Sequence, residues 1–105
     1  MEIVGTSIFT RQIRALLGDD EYRALQEELV INPLAGAMIR GSGGLHKLRW
    51  AAKGHGKSGG IRVIHYYVAP DDWIFMLAAY GKGAKADLTD REVAALRKLV
   101  KEELS

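Results

Sequence analysis

The sequence predicts an α+β fold: a small, mostly antiparallel four-stranded sheet with two N-terminal helices packed on one face and a C-terminal helix, in the order β-α-α-β-β-β-α. Three observations predict it. Apolar residues recur at helical spacing before Pro33 and again after Thr89. Between those points the chain changes to β-branched and aromatic runs bounded by glycine or proline. The last two runs are joined by Pro70-Asp71-Asp72, a tight turn that makes them a hairpin and hence antiparallel.

Each element follows in order. Met1 to Val4 is a short strand. Thr6 or Ser7 can cap a first helix that carries Ile8, Phe9, Ile13, Leu16 and Leu17, and Gly18 ends it. Asp19 or Asp20 caps a second helix with Tyr22, Leu25, Leu29 and Val30 on one face. Asn32-Pro33 stops it, because a residue before proline avoids the α region. Ala35 to Gly44 holds four glycines and reads as turns. Leu45 to Ala52 is a strand, and Lys53 to Gly60, with four glycines in eight residues, is a loop. Ile61 to Ala69 and Trp73 to Tyr80 are the hairpin strands, and Gly81 to Leu88 is a polar connection. Thr89 with Glu92 forms a capping box, after which Val93, Leu96, Val100 and Leu104 line one face of a final helix. The amphipathic helices are expected to cover one face of the sheet.

A chain of 105 residues, 48% hydrophobic and 27% charged, is expected to form one domain over residues 1–105. No apolar run approaches the roughly 18 residues that span a bilayer. Glu2 and Gly5 interrupt what would be a signal peptide, so no membrane association and a cytoplasmic location are expected. Cysteine is absent, which excludes disulfides, thiolate catalysis and cysteine-ligated zinc. His46, His55 and His65 lack the HExxH spacing of a helical zinc site, so neither a metal nor another cofactor is expected.

The formal charge of +2 conceals an uneven distribution. From Leu29 to Ala69 there is no Asp or Glu, while Arg40, Lys47, Arg49, Lys53, Lys57 and Arg62 supply six positive charges. All thirteen acids lie in the flanks. A block of this kind attracts polyanions, nucleic acid first among them.

Two phosphate-binding motifs match this loop only superficially. Gly54-His55-Gly56-Lys57-Ser58-Gly59 fits GxGxxG literally, but a strand follows where that motif needs a helix. Gly56-Lys57-Ser58 resembles the end of a P-loop, yet Ala51 stands where a glycine is required. What remains is a basic loop whose backbone can approach a phosphate. Strand alternation puts Lys47 and Arg49 on one face and Leu48 and Trp50 on the other, in the core. Arg62 opens a strongly apolar strand with no acid near it in sequence, and its planar fork suits phosphate. An antiparallel hairpin brings the end of Trp73–Tyr80 beside the start of Ile61–Ala69. Lys82 and Lys85 then approach Arg62 and the Lys53–Lys57 loop.

The stretch from Gly43 to Arg49, the run from Lys53 to Tyr67 (KGHGKSGGIRVIHYY), Tyr80-Gly81-Lys82 and Asp87-Leu88-Thr89 together resemble the RelE/HigB family of type II toxins. The glycine-lysine loop is most similar to the HigB-like branch, and the likeness covers nearly the whole chain. The resemblance implies the RelE/ParE-like fold and a ribosome-dependent mRNA interferase that works in the A site of the 30S subunit. It also implies a cognate antitoxin, HigA-like and DNA-binding. Members cleave mRNA by attack of a ribose 2′-OH on the adjacent phosphate. On this likeness Arg62 meets the transition-state charge, and Lys53, Lys57 and Lys82 complete the catalytic group, one lysine serving as base if crowding lowers its pKa. Lys47, Arg49, His55 and Lys85 are the expected RNA contacts.

The sequence departs from some relatives: no tyrosine follows Tyr80 and no histidine follows His65, so the acid and base stay unassigned. Two other readings remain open. A ParE-like inhibitor of DNA gyrase would share the fold without nuclease chemistry, though it needs no converged phosphate site. A non-catalytic RNA-binding module would need paired exposed aromatics, whereas Tyr66 and Tyr67 point to opposite faces.

Overall fold

The computed structural model describes residues 1–51, 60–81, 83–84 and 87–104. The elements are β1 (Glu2–Gly5), α1 (Ser7–Leu16), α2 (Asp19–Ile31), β2 (Ala37–Met38), β3 (His46–Trp50), β4 (Ile61–Val68), β5 (Trp73–Gly81) and α3 (Asp90–Leu104). They form an α+β fold around one mixed sheet, in the order β1-β5-β4-β3-β2.

The sheet has five strands where four were expected. The added strand is β2, two residues long, paired antiparallel with β3 through Ala37↔Lys47 and Met38↔His46. It hides inside a glycine-rich stretch because the turn that returns it to β3 is held by a side chain. The Ser42 hydroxyl accepts the Leu45 N–H at 3.0 Å and donates to the Ile39 carbonyl. The first strand, β1, pairs parallel to β5 and makes the sheet mixed.

A second difference concerns the helices, which cover both faces. Phe9 and Ile13 of α1 and Leu25 and Leu29 of α2 pack on Ile61, Val63, Ile74 and Met76. Val100, Leu96 and Leu99 of α3 pack on the opposite side, against Ile64, Phe75 and Tyr80. β4 is apolar on both faces, as a strand buried between two layers must be. A bulge where Leu77 is the extra residue of β5 interrupts the register between Ile64 and His65.

The caps are local and specific. Thr6 Oγ1 accepts the Phe9 N–H at 2.9 Å and starts α1. For α2 the cap is Gly18 rather than Asp19 or Asp20, with the Glu21 carboxylate accepting its N–H at 3.3 Å. Before α3 the expected capping box forms: Thr89 Oγ1 accepts the Glu92 N–H at 3.1 Å, and Glu92 accepts the Thr89 N–H at 2.9 Å. Thr89→Ala is expected to cost about 1 kcal/mol in urea denaturation. Among the described residues no helix is long and apolar enough to cross a membrane.

His65 of β4 is fully buried against the segment that follows α2. Its Nε2 lies 3.0 Å from the Ala35 carbonyl, and its ring stacks on His46 with centroids 5.7 Å apart. Burial pushes its pKa down from 6.5 to about 4. Between those values the unfolded chain takes up a proton that the folded chain excludes. The associated stability is therefore complete above pH 6.5 and declines as pH falls toward 4, by ~3 kcal/mol. Denaturation midpoints at pH 7 and 4.5 should show this decline, and His65→Asn should make it shallower.

Candidate functional site

Three strands place the site. β3 and β4 pair antiparallel with Arg49↔Arg62, and β4 and β5 with Arg62↔Tyr80. Arg49, Arg62 and Tyr80 therefore form one cross-strand row, since directly paired residues share a face. The row lies on the α3 side, at the end of the sheet where β4 begins. The local reason is alternation: Leu48 and Trp50 pack into the core under α1 and α2, so Lys47 and Arg49 emerge on the other side.

Two arginines directly opposite each other are destabilising in a sheet. Arg62 is only 9% exposed, and among the described residues no carboxylate lies within 4.0 Å of it. With no acid beside it among the described residues, its guanidinium is open to pairing with an outside anion. Gly60 borders it: a Cβ there would stand 3.6 Å from Arg62 Nη1. Arg49, its neighbour, is exposed.

The flanking groups tune the field. Lys47 Nζ donates to Asp87 Oδ1 at 3.1 Å. That hydrogen bond, then the Leu88 N–H, and more weakly the charge of Arg49 hold the Asp87 carboxyl below its ordinary value. Part of the Lys47 charge is thus already matched within the chain. Tyr80 is buried, and burial first, then the charge of Asp87, raises its pKa, with Arg62 pulling the other way. At neutral pH it is a phenol, a proton donor and not a base.

Of the residues singled out in the sequence, Lys47, Arg49 and Arg62 share this face, with Arg49 and Arg62 directly paired. Lys53, His55, Lys57, Lys82 and Lys85 lie outside the described residues. The ends from which their segments depart are neighbours, because Trp50 pairs with Ile61 and Ile61 with Gly81. Tyr80 and Asp87 are additional members. Counting from the Pro70-Asp71-Asp72 turn would have set Tyr80 near Arg62. Nothing in the acid-free central block signals an acid that folds back onto it from residue 87.

The arrangement can clamp one anion. A phosphate beside the row would relieve the repulsion between Arg49 and Arg62 and accept paired hydrogen bonds from either fork. The same charges favour a phosphorane, whose added negative charge is greater than that of the ground state. The family model that describes the RelE toxin of the RelE/RelB toxin–antitoxin system matches residues 1–105.

Proposed function

The chain belongs to the RelE toxin family of toxin–antitoxin systems, and from that premise we propose that it is a ribosome-dependent mRNA interferase. One observation carries the reading: the cross-strand pairing of Arg49 with a buried Arg62 that has no carboxylate partner among the described residues. Family membership makes the chain the toxin of a pair; the arginines supply the chemistry.

In the proposed reaction the ribose 2′-OH loses its proton to a base and attacks the adjacent phosphorus. The P–O5′ bond breaks, leaving a 2′,3′-cyclic phosphate, and the 5′-oxygen takes a proton from an acid. Arg62 stabilises the phosphorane and Arg49 holds the phosphate's other oxygen. Lys53, Lys57 and Lys82 extend the positive field, one of them acting as base through like-charge crowding. His55, Lys85 and Lys47 contact RNA on either side. The site of action is the A site of the 30S subunit, in the cytoplasm. The inhibitor is an antitoxin of HigA-like, DNA-binding type, consistent with the glycine-lysine loop of the HigB-like branch.

Induced expression in bacteria, with mRNA 5′ ends mapped across the transcriptome, tests this. Codon-phased cuts in translated messages are expected. Intact messages with altered plasmid supercoiling would replace the nuclease by a gyrase inhibitor.

A further inference from the structure

A cationic trench runs along α3, away from the arginine row. It is about 570 Å³ in volume, and its lining includes Arg40, Arg97, Lys98 and Lys101 against a single carboxylate, Asp90. All four cations are exposed, and among the described residues none has a carboxylate within 4.0 Å. The trench is built by the close approach of the turn between β2 and β3 to α3. Arg97 Nη1 reaches the Gly41 carbonyl at 3.5 Å, and a Cβ on Gly43 would stand 3.1 Å from Arg97 Nε.

The trench approaches the candidate site at Lys47. A neighbouring cavity of about 290 Å³ shares Arg40, Asp90 and Val93 with it and is also lined by Lys47 and Asp87. Lys47 lies on the same strand and face as Arg49. At the other end a cavity of about 390 Å³ shares Arg97 and Lys101 and is lined by Tyr66 and Ser42. Adjoining cavities therefore lead from the Lys47–Asp87 pair, two residues along β3 from Arg49, to the C-terminal half of α3.

We propose that this trench is an extended RNA track, which grips the sugar-phosphate backbone of a single strand whose reacting phosphate lies on the Arg49–Arg62 row. The inference rests on the nuclease reading for the position of that phosphate. Four cations against one carboxylate in the trench, and its approach to the row through Lys47, favour a strand of RNA over an acidic protein segment, since one polymer can reach both. The cations are long, exposed and, among the described residues, without a carboxylate within 4.0 Å, as suits sequence-independent backbone contacts.

The test uses the full chain and a labelled 20-nucleotide single-stranded RNA carrying 2′-O-methyl groups throughout, which cannot be cleaved. Binding is followed by anisotropy over a series of salt concentrations. Each phosphate contact on a single strand contributes about 0.7 to the slope of log K against log salt. Lys98→Ala/Lys101→Ala, two exposed helix positions where alanine preserves the fold, should make that slope shallower by about 1.4. An unchanged slope overturns the track, and if Arg62→Ala still abolishes cleavage the nuclease reading survives its loss. An unchanged slope together with failure of the double variant to retain its antitoxin assigns the trench to an acidic protein segment and equally overturns it. A shallower slope in the double variant with normal cleavage by Arg62→Ala keeps the track and removes the reading on which the reacting phosphate was placed.

Discussion

Arg62→Ala is expected to lower mRNA cleavage by roughly 10²–10³-fold, the usual consequence of removing one donor aimed at a developing oxyanion. Growth inhibition on induction should vanish with it, while circular dichroism stays that of the folded chain. Arg62→Met sharpens the test. Methionine keeps an apolar stem on β4 but removes the charge that opposes Arg49. A guanidinium held against a like charge, with no carboxylate beside it among the described residues, contributes little to folding. Arg62→Met should therefore unfold at the same urea concentration as the parent or a higher one, and be as inactive as Arg62→Ala. Arg62→Lys retains charge without the planar fork and should recover only part of the rate. A methionine variant that is markedly unstable would identify Arg62 as a structural group and remove it from the reaction. So would an alanine variant that still cleaves at the parental rate.

Much of this site was legible because strand alternation is a strict rule. Lys47 and Arg49 could be separated from Leu48 and Trp50 without coordinates, and the hairpin turn set Arg62 beside the end of β5. Helix periodicity likewise gave α1, α2 and α3, with ends shifted by a residue or two. Other features depend on contacts that no local pattern carries. β2 exists because Ser42 closes a turn and Gly36 lets two backbones meet, neither of which has a strand signature. That α3 covers the second face follows from Ile64, Phe75 and Tyr80 being apolar on a side that alternation alone does not assign to a helix. Asp87 shows the limit of reading charge along the chain. The block from Leu29 to Ala69 lacks acids in sequence, yet in space Lys47 has one at 3.1 Å. The Lys47 charge is accordingly matched in part, whereas among the described residues Arg49 and Arg62 have no carboxylate within 4.0 Å.

Gly36→Ala is expected to be the most damaging single-methyl change at the sheet edge, costing about 3 kcal/mol or more. Gly36 has φ +92°, a conformation that costs an L-residue roughly 1–2 kcal/mol by itself. Its added Cβ would also stand 2.8 Å from the Lys47 carbonyl carbon and 2.9 Å from Leu48 Cα, and closer still to the Lys47 oxygen. All three are backbone atoms of β3, so no rotamer change relieves the clash. Relief requires β2 to leave the sheet, which breaks the Ala37↔Lys47 pairing. Movement of the preceding residue would also draw the Ala35 carbonyl away from His65 Nε2. Gly41→Ala isolates the conformational part, because Gly41 has φ +73° with nothing within 4 Å of its Cβ position. That variant should lose only ~1–2 kcal/mol. Urea denaturation of the pair checks the difference, and equal losses would show that contact with β3 is not what demands glycine at position 36. Because Lys47 carries the Asp87 ion pair beside Arg49, Gly36→Ala should also weaken cleavage. The edge strand would then be part of the scaffold that sets the arginine row.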